Sequence, residues 1–360
     1  MNAPPGLDLA SIPERIQAEV QRAIQRSIKG VEYIASSGPS LGSTPKDILS
    51  VRGTMNLYHY RPVADEIYRV PILIVMATSN RGYVLDLARG SSFVEFLLRS
   101  GYDVYMIDWT PPRPDEKPLR FEDYTHRFIP ESVATVQRRS GEREVTLLGY
   151  CMGGVLSTIY AASHPRDGLT NLVCFTTPID FRHMTLFQQW SNPKHFDVDR
   201  LVDTVGNVPA DLIFRGFEML RPASRAAGQV QLWDNMWNDE FVQSFRMFER
   251  WGNDTLPLAG EYFRETTKKL MWENGLFEGT LEIAGQPIRL ADITVPVLHV
   301  AAEHDHIVPR DASKPLIERV ASSDKHELVL KGGHISVAAG ANARTRLWPK
   351  LDAWLAERST

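Results

Sequence analysis

One hexapeptide limits what this chain can become more than any other feature. The apolar run Val145-Thr146-Leu147-Leu148 passes without a break into Gly149-Tyr150-Cys151-Met152-Gly153-Gly154, and a helix-compatible apolar stretch continues to Ser163. Strand, then G-x-C-x-G-G, then helix is the pattern of a sharp turn that lifts a nucleophile off the end of a sheet, with cysteine where serine is usual. The glycines are expected because larger side chains at the flanking positions would clash, and because Gly153 and Gly154 let the helix approach the sheet closely. Cys151 then points out at a helix N-terminus, where the dipole and free N–H groups favour a thiolate. The backbone N–H of Met152 is placed to bind an oxyanion.

The rest of the chain supplies a matching scaffold. Strand-like runs fall at Ile48–Val51, Met55–Tyr60, Val70–Ala77, Asp103–Asp108, Glu144–Gly149, Leu172–Thr176, Val297–Ala302 and Glu327–Leu330. Helical patterns lie between them, near Ser91–Ser100, Pro130–Arg139 and Gly153–Ser163, and a last one runs from about Ala343 to Glu357. Strands alternating with helices predict a mostly parallel central sheet covered on both faces. With the turn at Cys151, this is the α/β-hydrolase fold.

Three regions are expected. Residues 1–47 form an N-terminal extension: residues 1–10 read as disordered, and Ile12, Ile16, Val20, Ile24 and Ile28 recur every four residues on a helix. That helix either packs on a core of its own or presents a docking face. Residues 48–181 and 291–360 form the hydrolase core. Residues 182–290 break the rhythm, are dense in helical pattern, and hold Trp190, Trp233, Trp237, Trp251 and Trp272, five of the eight tryptophans. An aromatic-rich insertion between the sixth and seventh strands reads as a cap over the site, or as a helical subdomain with its own core.

A cysteine elbow needs an acid and a histidine later in the chain, in that order. The run Val297–Ala302 ends in Glu303-His304-Asp305-His306-Ile307-Val308-Pro309, and Glu327–Leu330 ends in Lys331-Gly332-Gly333-His334-Ile335-Ser336. Both clusters follow strand C-termini, where open α/β sheets place their sites. His334, in a glycine-bearing loop after the last strand, is the preferred base. His304 and His306 sit beside the acid, and His306 is a candidate pocket liner; His126, His164, His195 and His299 lack this context. Asp305 is preferred to Glu303 as the acid, with Asp180 its rival because some members of the fold place the acid after the sixth strand. The second oxyanion donor is expected in Thr78-Ser79-Asn80-Arg81-Gly82-Tyr83, where Asn80 is either a polar liner or a turn former. Cys174, inside an apolar run, reads as core.

Composition closes off other classes. A net charge of −4 with no basic stripe argues against nucleic-acid binding. Two cysteines outside any CxxC pair give no disulfide framework and fit a reducing cytoplasm. No signal-peptide pattern opens the sequence, and the strongest apolar run, Val70–Ala77, is far too short to span a bilayer. No cluster at metal-ligand spacing appears, so neither a metal nor a cofactor is implied. A thiolate nucleophile forms a thioester, close in energy to a thioester substrate, which suits acyl transfer from an acyl-CoA better than ester or peptide hydrolysis.

Several segments carry a resemblance in combination and in order. They are Ser79-Asn80-Arg81 with Tyr83, Asp103-Val104-Tyr105-Met106-Ile107-Asp108-Trp109, the elbow itself, Val202-Asp203-Thr204-Val205-Gly206-Asn207-Val208-Pro209, Asp305-His306-Ile307-Val308-Pro309, and Gly332-Gly333-His334-Ile335. From about Ile48 to Arg358 the chain resembles the catalytic subunit of the two-subunit poly(3-hydroxyalkanoate) synthases, classes III and IV. The resemblance implies polymerisation of (R)-3-hydroxyacyl-CoA, such as 3-hydroxybutyryl-CoA, with release of CoA, and maps the family's catalytic triad onto Cys151, Asp305 and His334. It also implies a growing polyester chain and granule surface as partners, a second subunit of the PhaE or PhaR type, a homodimer, and a cytoplasmic, granule-associated location. The alternative is a cysteine-dependent hydrolase of the same fold: a depolymerase, thioesterase or lactone hydrolase.

Overall fold

A computed structural model describes residues 12–35 and 40–360. The expected disorder of residues 1–10 lies outside the described residues. The chain divides into two compact units, one holding the N-terminal helix with residues 221–250, the other residues 40–220 and 251–360.

The larger unit carries an eight-stranded sheet. Its strands are β1 (Lys46–Arg52), β2 (Met55–Tyr60), β3 (Ile72–Val75), β4 (Val104–Trp109), β5 (Val145–Tyr150), β6 (Leu169–Phe175), β7 (Val297–Ala302) and β8 (Lys325–Leu330), in the spatial order β1-β2-β4-β3-β5-β6-β7-β8. Only the first two pairings are antiparallel; from β4 to β8 every neighbour is parallel. β3 and β5 are buried at every position, which is why they read as continuous apolar runs. β3 starts later than the apolar run Val70–Ala77 because Pro71 has no N–H to give the ladder, although its carbonyl accepts from Thr146 N at 2.9 Å.

Helices cover both faces. α1 (Ile12–Ala35) belongs to the smaller unit; α2 (Phe93–Arg99), α3 (Ile129–Ser140), α4 (Met152–Ser163) and α5 (Trp348–Ala356) belong to the larger. Ser92 caps α2 by accepting from Glu95 N at 2.9 Å. The last helical pattern is broken: a π-helical segment, Ala343–Leu347, precedes α5, because Pro349 cannot donate to the preceding turn.

The insertion does not behave as one piece. Its residues 182–220 and 251–290 belong to the larger unit. Val198, Val202 and Val208 form a small core there, flanked by Phe196, Phe263 and Trp272. Both ends of this region meet at Asp180, which is buried and accepts from Arg182 and from Asn274 Nδ2 at 2.9 Å, while Asn274 Oδ1 accepts from Phe181 N.

In the smaller unit α1 packs through Gly30, whose α-carbon faces the Trp233 ring, and through Lys29–Asp239 at 3.0 Å and Tyr33–Glu249 at 3.2 Å. The apolar positions Val20, Ile24, Ile28, Val31 and Ile34 stay exposed, so the four-residue repeat is not the face this unit buries. Among the described residues no helix is long and apolar enough to cross a membrane.

Candidate active site

β5 ends at Tyr150 and α4 begins at Met152, leaving Cys151 alone at the turn with φ 53° and ψ −119°. A residue with a Cβ adopts this only where its surroundings enforce it. Three steric requirements do so. A Cβ on Gly149 would stand 2.4 Å from Gly154 Cα, one on Gly153 would stand 2.1 Å from Val75 O, and one on Gly154 would stand 1.8 Å from Thr177 Oγ1. The glycines therefore let α4 sit directly against the ends of β3 and β6. Met152 opens the helix, so its N–H is one of those left without an intrahelical partner.

The loops after β7 and β8 bring Asp305 and His334 together. His334 Nδ1 lies 2.7 Å from Asp305 Oδ2, and both side chains are almost wholly buried. Asp305 Oδ1 accepts from Ile307 N at 2.9 Å and Val308 N at 2.8 Å, so the turn before Pro309 fixes the carboxylate. Burial of the imidazole opposes its protonation. The Asp305 carboxylate, and charge and hydrogen bonding at Cys151, outweigh that and raise His334 to about 10. Tyr150 lies beside the His334 ring, with centroids 5.5 Å apart, and its hydroxyl donates to His334 O at 3.4 Å. Sequence reasoning passed over Tyr150, and only its place next to Cys151 could have marked it.

Asp180 is committed to Arg182 and Asn274 and holds the insertion's ends. His304 and His306 are exposed. Asn80 is partly buried, its Oδ1 accepts from Ser79 Oγ at 3.0 Å, and its backbone bridges to Thr255. His126 and His164 pack edge to face, His195 bonds Gln189 O, and His299 is buried in β7 beside Glu327. Cys174 is fully buried in β6, where burial pushes its thiol up to about 12. Among the described residues no group of three or more His, Cys, Asp or Glu is arranged to hold a metal ion.

Sheet order, nucleophile turn, and acid and histidine loops in this sequence define an α/β-hydrolase-fold protein, and residues 82–340 match the family described as alpha/beta hydrolase fold. A putative lipase from Sulfolobus solfataricus superposes with a TM-score of 0.55 at 15% identity, covering 89% of this chain and 99% of that one. An esterase from Pyrococcus furiosus superposes with a TM-score of 0.50 at 11% identity, covering 90% and 96%. These share the fold alone.

The chain belongs to the poly(3-hydroxyalkanoate) polymerase subunit PhaC family. It is 35% identical to the protein of that name from Allochromatium vinosum over 351 residues, covering 96% of this chain and 98% of the relative. It is 34% identical to that from Haloarcula marismortui over 329 residues, covering 89% and 69%. Residues 25–97 match the family described as the poly-beta-hydroxybutyrate polymerase (PhaC) N-terminus.

Proposed function

We propose that this chain polymerises (R)-3-hydroxyacyl-CoA, with 3-hydroxybutyryl-CoA as the monomer, through a thioester on Cys151. The observation that carries the reading is the buried His334–Asp305 pair beside a cysteine held at the end of β5, in a chain of this family. His334 takes the Cys151 proton, and the thiolate attacks the acyl-CoA carbonyl. The Met152 N–H and a second donor from the loop after β3 hold the tetrahedral oxyanion. CoA leaves with its sulfur protonated by His334. The same imidazole, oriented by Asp305, then takes the proton of a chain or monomer hydroxyl, which attacks the thioester and frees Cys151. A second synthase subunit of the PhaE or PhaR type, a homodimer, and a granule-associated cytoplasmic location belong to the same proposal. The exposed apolar face of α1 supports a partner contact.

The test is incubation with 3-hydroxybutyryl-CoA, with and without a candidate second subunit. CoA release with polymer supports the reading. CoA release with free hydroxy acid alone would replace it by a hydrolase. Release that persists in Cys151→Ala would remove the thioester from the mechanism.

A further inference from the structure

The loop that follows β3 is built from both sides. On one side the end of β4 holds it: Asp108 Oδ1 accepts from Gly82 N at 2.7 Å, and Arg81 Nη1 donates to Trp109 O at 3.1 Å. On the other side runs a segment about 170 residues later, the return limb of the insertion. Leu256 N donates to Ser79 O at 2.7 Å, and Thr255 bridges Asn80. Trp251 Nε1 donates to Arg81 O at 2.9 Å, and Tyr83 OH donates to Asp254 Oδ2 at 2.9 Å. Trp251 and Leu256 are buried, so the two ends of this segment are anchored in the core, while Asp254 between them stays partly exposed. A little further on, Tyr262 OH accepts from Thr78 Oγ1 at 3.3 Å. The residues facing the strap are 79–83, and directly before them stand Ala77 and Thr78. Among the described residues the N–H groups of these two have no acceptor. They follow the carbonyls of Val75 and Met76 that the first turn of α4 rests against.

We infer that Trp251–Leu256 is a positioning strap for acylation of Cys151: it sets the loop 78–83, and with it the place where the second oxyanion donor meets the acyl carbonyl. The inference rests on the Cys151 acylation reading above. The core fixes the sulfur, while the insertion fixes half of the oxyanion site. A donor displaced by a fraction of an ångström loses most of its advantage in the transition state while ground-state binding is little changed.

The test compares two reactions of the same thiol in Tyr83→Phe, Trp251→Phe and the double variant. Acylation is read as the pre-steady-state burst of CoA from 3-hydroxybutyryl-CoA and of p-nitrophenol from p-nitrophenyl butyrate, both of which develop an oxyanion. Alkylation by iodoacetamide needs the thiolate and develops none. The expected result is a burst rate lowered about tenfold in the double variant, with KM and the alkylation rate within about twofold of wild type. An unchanged burst, or burst and alkylation falling together, overturns the inference. If Trp251→Phe gives no cooperative melt, Tyr83→Phe alone decides, with about a threefold loss expected. The ester separates the two claims: a wild-type p-nitrophenol burst without polymer from the acyl-CoA defeats the polymerase reading and leaves the strap comparison readable. No burst from either substrate defeats both.

Discussion

The imidazole of His334 and the carboxylate of Asp305 meet at 2.7 Å with almost no contact with solvent. Replacing Asp305 by Asn keeps the shape, removes the charge, and lets the amide hold the wrong ring tautomer. Turnover of 3-hydroxybutyryl-CoA in Asp305→Asn is expected to fall by at least about 100-fold while the variant still melts cooperatively, at a lower temperature because the charge facing His334 is gone. CoA release against thermal denaturation checks it.

The same pair makes stability depend on pH. His334 is raised from 6.5 to about 10 in the folded chain, so between those values the folded state holds a proton that the unfolded state has lost. The stabilisation is complete below pH 6.5 and disappears as pH rises through 10, with a slope approaching about −1.4 kcal/mol per pH unit. Urea unfolding at pH 7, 8 and 9 is expected to show this slope, and His334→Gln to flatten it. A wild-type curve that stays level would mean that the chain takes up no net proton here on folding.

Glu327 gives the opposite sign. The His299 imidazole, 3.2 Å away but not aligned as a proper hydrogen bond, is the main influence holding this carboxyl down to about 2 from 4.5. Burial works against it, and Arg310 adds to it. Its contribution is present above pH 4.5 and is lost as pH falls through 2. Glu327→Gln is therefore expected to start acid unfolding at a higher pH than wild type and with a shallower pH dependence, as followed by circular dichroism.

The elbow glycines separate by what opposes a side chain. At Gly153 the obstacle is the backbone carbonyl of Val75, which cannot turn away; at Gly154 it is the Thr177 side chain. Gly153→Ala is expected to cost about 3 kcal/mol and Gly154→Ala less. Removing the Thr177 side chain is expected to rescue only the second. Melting temperatures of the four variants decide.

Cys151 itself stores strain at φ 53° and ψ −119°. Both Cys151→Ala and Cys151→Gly lose the thiol, but only the alanine keeps a Cβ in that conformation. The glycine variant is expected to be the more stable by about 1 kcal/mol, measured by denaturant titration. Equal stabilities would show that the turn is not strained.

What the sequence made readable was local. β5, Cys151 and α4 are contiguous, and Asp305 and His334 each stand a few residues past a strand, so period and turn residues were enough. Two kinds of feature escaped. Pro71 and Pro349 cut elements short through a missing N–H, which an apolar pattern does not register. Contacts between distant segments left no local mark: Asp180 with Asn274, and the pairing of residues 79–83 with 251–256. The division of the insertion between two units has the same origin, since helices with similar periodicity from 182 to 290 give no sign of which neighbours each will choose.

The contrast between the two cysteines turns the protein into its own folding reporter. Cys151 is partly accessible, while Cys174 is sealed in β6 with its thiol held at about 12. A mild alkylating reagent should therefore take up one equivalent per native chain and a second only when the sheet opens. The delay between the two equivalents times the opening of the sheet between β5 and β7, with no label introduced and no residue changed.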